Sequence, residues 1–220
     1  MPQRHESAKN HLARFTIAFM NGGRIEGRQV LSPSVIAKLS TPYIDIPGLE
    51  NTKYGYGLML HNYRGVEVVE HEGGAAGFGA LIRMVPERRF AIIVLTNKFG
   101  GSLSKTADKA MELLLPLKAA DEKEKEPLPM SEAEMDKYVG VYAYSPVSHP
   151  PQKIELHVKA GKLFIKIGAL EAPLDKVGDW SFAAKGEFSF PRFSLVPGPD
   201  GKAEFLHLAV VAFKRIPAGK

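Results

Sequence analysis

The chain has 220 residues, of which 45% are hydrophobic and 24% charged, with a net charge of +5 at neutral pH. This composition suits one large globular domain or two small ones, and no apolar run approaches the ~20 residues of a membrane-spanning helix. The absence of cysteine excludes disulfides, thiolate zinc sites and a cysteine nucleophile. The 29 basic residues are scattered among 24 acidic ones, without the reader motif that nucleic-acid binding needs. Met1 to Glu6 has no apolar core, so no signal peptide is expected and the compartment stays open.

Taken in chain order, the first element is a helix capped by Ser7. Leu12, Phe15 and Phe19 form its apolar stripe, and Asn21-Gly22-Gly23 ends it. Ser32-Pro33 starts a short helix through about Leu39. Tyr54 to His61 suits a strand in which Tyr54 and Tyr56 are packing residues, and Val66, Val68 and Val69 form a second short strand. Phe78 to Val85 and Phe90 to Thr96 are the strongest strand segments, joined by the turn Pro86-Glu87-Arg88-Arg89. Ser102 or Ser104 then caps a helix with Ala107, Ala110, Met111, Leu114 and Leu115 on its apolar side. Helices flanking strands in hairpin succession give an antiparallel sheet with helices packed on it, an α+β class.

Lys118 to Met130 is charged and closed by two prolines, the composition of a linker. The expected organisation is therefore an α+β domain over 1–117, a linker over 118–130 and a β-domain over 131–220. In the last of these a short helix, Ser131 to Val139, precedes alternating runs. These are Ile154/Leu156/Val158, Leu163/Ile165/Ile167, Phe188/Phe190, Phe193/Leu195, and Phe205 through Leu206, Leu208 and Val210 to Phe213. Turns at Ala160-Gly161-Lys162, Gly178-Asp179, Lys185-Gly186-Glu187 and Pro199-Asp200-Gly201 separate them. Short strands at this spacing indicate a small barrel or sandwich whose interior is packed core.

The segment most suited to chemistry is His71-Glu72-Gly73-Gly74-Ala75-Ala76-Gly77-Phe78-Gly79. Glycine lets a backbone approach a ligand closely, and a titratable imidazole opens the cluster. By itself the cluster reads first as a tight turn or bulge between strands. With strands before and after it, it could instead offer the Gly74 N–H to a substrate oxygen. Adjacent strand residues face opposite ways, so neither Glu70 nor Glu72 need touch the His71 ring. His61, His71, His149, His157 and His207 are dispersed and lack metal-ligand spacing, so neither a metal nor another cofactor is expected.

Tyr54-Gly55-Tyr56-Gly57-Leu58, His71-Glu72-Gly73-Gly74-Ala75-Ala76-Gly77-Phe78, Val85-Pro86 and Ile93-Val94-Leu95-Thr96-Asn97 together resemble the C-terminal half of the serine β-lactamase-related hydrolases. That family includes class C β-lactamases, penicillin-binding D-peptidases and β-lactamase-like esterases. The resemblance spans about residues 7–116, and His71-Glu72-Gly73 matches the family's His-x-Gly form of its third active-site motif. It implies that His71 contacts substrate or joins the proton network, and that Gly74 N–H is an oxyanion donor. Glu72, Gly73 and Ala75 would line the substrate. The implied substrate is a small ester, amide or lactam. Tyr138-Val139-Gly140-Val141-Tyr142 to Phe213-Lys214-Arg215-Ile216 is similar to the lipocalin-like domain appended to some members.

The family's nucleophile motif, Ser-x-x-Lys, and its Tyr-x-Asn lie upstream of the helix that opens this chain, and only six residues precede Ser7. The sequence therefore reads as the back half of such a hydrolase, needing a complementing N-terminal chain or acting within a homo-oligomer. Two alternatives stand beside it. One is a non-catalytic binding or assembly module derived from the hydrolase. The other is a self-sufficient esterase using Ser102 and Lys105 of Ser102-Leu103-Ser104-Lys105, although that segment also reads as a helix cap with a solvated lysine.

Overall fold

A computed structural model describes residues 6–49, 51–75, 77–97, 102–120, 126–144, 152–185, 192–208 and 210–217. Two compact units result: Met1–Asp45 with Asn51–Glu122, and Ile46–Glu50 with Lys123–Lys220. Both are strand-rich, with antiparallel sheets and few helices among the described residues.

The first unit opens with α1 (Glu6–Met20), which already includes Ser7, so Ser7 is not its cap. The small hairpin β1 (Arg24–Ile25) and β2 (Arg28–Gln29) follows. Next comes α2 (Pro33–Leu39), where the Ser32 hydroxyl accepts from Val35 N–H at 3.3 Å and Pro33 occupies the first turn. A six-stranded antiparallel sheet is built from β3 (Ile44–Asp45), β4 (Thr52–Tyr54), β5 (Met59–Tyr63), β6 (Val66–Ala75), β7 (Phe78–Val85) and β8 (Phe90–Thr96) in that order. Helix α3 (Ser102–Leu114) completes the unit.

Alternation along the strands sends their side chains to two faces. On one face Val69 and Met84 pack with Phe19 of α1, and Ile36 and Leu39 of α2 join them. On the other, Leu81 packs with Leu103 and Ala107 of α3, while Val66, Val68 and Val85 enclose Met111. Each such buried side chain contributes ~1.5–3 kcal/mol. The helix stripe expected over 107–115 is shifted. Leu103 is buried and Leu114 is exposed, because the helix presents the 103/107/111 row to the sheet.

Two strand expectations need correction. Tyr54–His61 is not one strand: Gly55 N–H donates to Leu58 C=O at 2.8 Å and Gly57 has φ +75°, folding the segment into the β4–β5 turn. The strand expected over 66–69 runs on to Ala75, carrying the glycine cluster inside the ladder. Phe78–Val85 and Phe90–Thr96 have the expected bounds, and Pro86–Arg88 forms a single 3₁₀ turn between them.

The second unit is a closed antiparallel barrel of eight strands: β9 (Gly140–Tyr144), β10 (Gln152–Lys159), β11 (Lys162–Ile167), β12 (Leu170–Gly178), β13 (Ser181–Ala184), β14 (Arg192–Pro197), β15 (Ala203–Leu208) and β16 (Val211–Ile216). Pairing of β16 with β9 closes the ring and leaves no open edge. Its interior is filled by Tyr142, Phe182, Phe193, Leu163, Ile165 and Leu206, all almost fully buried. The helix expected from Ser131 to Val139 is one turn, α4 (Glu132–Met135), capped by Ser131. Strands β12 and β13 carry no strong alternation of large residues and were not separate expectations. Their small inward residues Ala172 and Ala184 hide the signal. Within the expected linker, Leu128 N–H donates to Lys176 C=O at 2.8 Å, so the segment from Glu126 onward belongs to the barrel's surface. Phe188, Phe190 and the Gly186-Glu187 turn lie outside the described residues. Among the described residues no helix is long and apolar enough to cross a membrane.

Candidate active-site strand

Strand β6 pairs with β5 from Tyr63↔Val66 to Met59↔Glu70, and there that ladder ends. On its other side β6 stays paired with β7 as far as Ala75↔Phe78. Residues 71–75 are therefore half-paired: one edge is satisfied by β7 and the other is open among the described strands. Backbone polar groups on such an edge need partners and can supply them to a ligand. The turn follows at Gly77, whose φ is +84°.

Neighbouring side chains on β6 have different partners, as strand alternation requires. Tyr54 Oη lies 3.3 Å from His71 Nε2, with the rings 6.3 Å apart and tilted at 56°. Tyr54 is thus a partner of the imidazole, where the sequence suggested only packing. Tyr56 is exposed in the β4–β5 turn and stacks edge-on against Tyr43. Glu72 accepts a 3.0 Å hydrogen bond from Ser104 Oγ in the first turn of α3. Gly73 and Gly74 lie opposite Ala80 and Gly79 in β7, and a Cβ added at Gly73 would meet nothing within 4 Å. The backbone of Ala75 closes the strand, but its side chain lies outside the described residues.

The Ser-x-x-Lys residues are placed differently. Ser102 is the first residue of α3, and its side chain is also outside the described set. Leu103 points into the core, Ser104 is engaged with Glu72, and Lys105 is exposed. Ser104 lies inside α3, so it does not cap it.

Sequence reasoning missed the buried charge cluster immediately before His71. Glu70 and Arg83 face each other across β6 and β7. Arg83 Nε donates to Glu70 Oε2 at 2.5 Å, and Nη1 donates to Asp108 of α3. His61 Nε2 of β5 lies 3.0 Å from Glu70 Oε1, and the Arg83 guanidinium sits 5.9 Å from the Tyr63 ring centre. The Arg83 side chain is only 4% exposed. Burial pushes the Glu70 carboxyl upward, but the hydrogen bond from His61 and the charge of Arg83 outweigh it. The net effect holds Glu70 below the ordinary carboxylate value. Burial likewise disfavours the Arg83 charge, and Glu70 and Asp108 more than restore it. Burial and Asp108 together raise the Tyr63 phenol, against the opposing effect of Arg64. The available signal was period-2 alternation, which places Glu70 on the same face as the core residues Val66 and Val68.

A helix-flanked antiparallel sheet thus carries a glycine-rich strand, opened by histidine, that is half-paired among the described strands. Residues 8–115 match the Beta-lactamase family model, and this part of the chain is β-lactamase-related. Over 82 residues the chain is 34% identical to the unguisins hydrolase ungD of Aspergillus violaceofuscus, covering 33% of this chain and 14% of that protein. Two crystal structures of SurE, one with D-Leu, superpose with a TM-score of 0.64 each, at 20% and 17% identity. They cover 91% and 96% of this chain. The chain spans about half the length of the SurE structures, 49% and 48%, and a seventh of the curated hydrolase.

Proposed function

We propose that this chain forms the oxyanion-strand part of a serine hydrolase of the β-lactamase and penicillin-binding type, acting on an ester, amide or lactam through an acyl-enzyme. Its first unit would be a partial β-lactamase-like α+β fold (residues 1–117) and its barrel (131–220) a lipocalin-like appendage, joined by 118–130. The observation that carries this reading is the edge of β6 at residues 71–75, open among the described strands and inside the segment that matches the family model. The hydrolase named among its relatives supports the reaction class.

In this proposal a serine outside the described motif attacks the substrate carbonyl, and a lysine and tyrosine move its proton. The Gly74 N–H holds the oxygen as it gains charge, and His71, supported by Tyr54, contacts substrate or relays a proton. Glu72, Gly73 and Ala75 shape the wall of the cleft. Losing one oxyanion donor typically costs ~2.7–4 kcal/mol of transition-state stabilisation.

The test uses p-nitrophenyl butyrate, nitrocefin and a fluorophosphonate probe. The chain alone should give neither turnover nor label. A reading frame extended upstream, or co-expressed with a segment carrying Ser-x-x-Lys and Tyr-x-Asn, should give both. In that active form His71→Ala should lower kcat/KM by about 10²-fold. Label on the chain alone that disappears with Ser102→Ala would establish the self-sufficient esterase with Lys105 as base. Absence of label in every arrangement would favour the binding or assembly module, for which a second copy of the chain is the simplest partner.

A further inference from the structure

Gly73 and Gly74 have no side chain through which packing could fix their backbone. Past Glu70 the strand is also without β5 as a neighbour among the described strands. Pairing with β7 restrains one side of residues 71–75. A second restraint comes from the face of the sheet that carries α3.

Helix α3 lays two rows on that face. Leu103 and Ala107 pack on Leu81, which lies opposite Glu72 in the β6–β7 ladder, and Met111 packs among Val66, Val68 and Val85. One residue further on, Ser104, Asp108 and Glu112 form a polar row, and each member meets a charged side chain. Ser104 Oγ donates to Glu72 at 3.0 Å, Asp108 accepts from Arg83, and Glu112 accepts from Arg64 at 3.3 Å. Arg83 passes the tie on to Glu70, whose carboxylate it meets at 2.5 Å. The partners fall from 72 through 70 to 64 as the helix numbers rise, so α3 runs antiparallel to β6. The spacings match: four residues of helix rise ~6.0 Å, and two residues of strand span ~6.6 Å. Ser104 and Asp108, one turn apart, therefore hold Glu72 and, through Arg83, Glu70. His71 lies between these two and projects to the other face, where it meets Tyr54.

We propose that Ser104 and Asp108 are positioning residues. Together they clamp β6 from its α3 side and fix the backbone from His71 to Gly74 in the orientation that presents its open edge to a ligand. Ser104 thereby gains a role apart from nucleophile or helix cap: it is half-buried, and its hydroxyl is spent on Glu72. The clamp stands on contacts within the first unit alone, whereas its catalytic consequence rests on the hydrolase reading.

The test compares the full ¹⁵N-labelled chain with Ser104→Ala, Ser104→Thr and Asp108→Asn by NMR relaxation dispersion, alongside urea unfolding. Ser104→Ala should raise microsecond-to-millisecond exchange at the Glu72, Gly73 and Gly74 amides by about threefold or more. The amides of Val66, Val68 and Val69 should keep their parent behaviour, and the urea midpoint should barely move. Ser104→Thr retains the hydroxyl and should restore the parent pattern. Asp108→Asn should act mainly at Glu70 and His71. In the active form of the hydrolase, Ser104→Ala should lower kcat by about tenfold with little change in KM, because a displaced donor is felt in the transition state. The proposal is overturned if Ser104→Ala leaves exchange at Glu72 to Gly74 as in the parent, if the added exchange spreads evenly over the sheet, or if Ser104→Thr fails to restore it. Localised exchange in a chain for which no active form is found would count against the hydrolase reading and leave the clamp standing.

Discussion

At the scale of single residues, the buried trio Glu70, Arg83 and Asp108 decides how firmly the candidate strand is held. Glu70 is the last β6 residue paired with β5, and its carboxylate ties that strand, through His61, to β7 and α3 through Arg83. Glu70→Ala leaves a nearly fully buried guanidinium short of a partner and should cost about 3–5 kcal/mol in urea unfolding. Replacing the pair together, Glu70→Leu with Arg83→Met, should recover most of that loss, because no buried charge is then left uncompensated. The pH dependence has a definite sign. The folded Glu70 value is depressed, so its contribution is fully present above the ordinary value near 4.5 and is lost as pH falls through the folded value. Acid unfolding below about pH 4.5 should therefore be shallower in Glu70→Gln than in the parent, as followed by circular dichroism. None of these partnerships was legible beforehand. Glu70, His71 and Glu72 are consecutive letters, and only the register of β5, β7 and α3 reveals their three different partners: Arg83, Tyr54 and Ser104.

At the scale of elements, turn chemistry was largely readable and cap chemistry less so. Ser32 caps the helix that Ser32-Pro33 was expected to start, and Ser131 caps the shortened α4, whereas Ser7 and Ser104 lie inside the helices they were expected to cap. Ser32→Ala should cost ~0.5–2 kcal/mol. Glycines separate into two kinds. Gly57 has φ +75° with open space around its would-be Cβ, so Gly57→Ala should cost only the left-handed strain, ~1–2 kcal/mol. Gly23 has φ +89° and a would-be Cβ 2.0 Å from the Leu31 carbonyl oxygen. Gly23→Ala should be the more damaging of the two, and equal melting temperatures for the two variants would refute the distinction. The Tyr54–His61 run was misread because its large residues alternate with glycine in a strand-like way. The tight turn shows itself only in the Gly55–Leu58 hydrogen bond.

At the scale of the whole molecule, the barrel's stability rests on a packed interior and a closed ladder. Phe182 is fully buried and stacks on Phe193 at 5.6 Å. Phe182→Ala should cost about 3–5 kcal/mol by thermal or denaturant unfolding. Tyr142 donates to the Tyr138 carbonyl at 2.6 Å, and burial pushes its phenol up to about 12. The sequence by itself determined most of the element types, the recurring short strands of the second unit and the histidine–glycine motif. These depend on periodicity, caps and local backbone freedom, all written within a few residues. The tertiary structure decided that the glycine cluster is a strand half-paired among the described strands, that His71 meets Tyr54, that Glu70 and Arg83 form a buried pair, and that the barrel closes through β16 and β9. Each of these joins residues far apart in the chain, and nothing in a local pattern fixes which strand edge will find a partner and which will stay open.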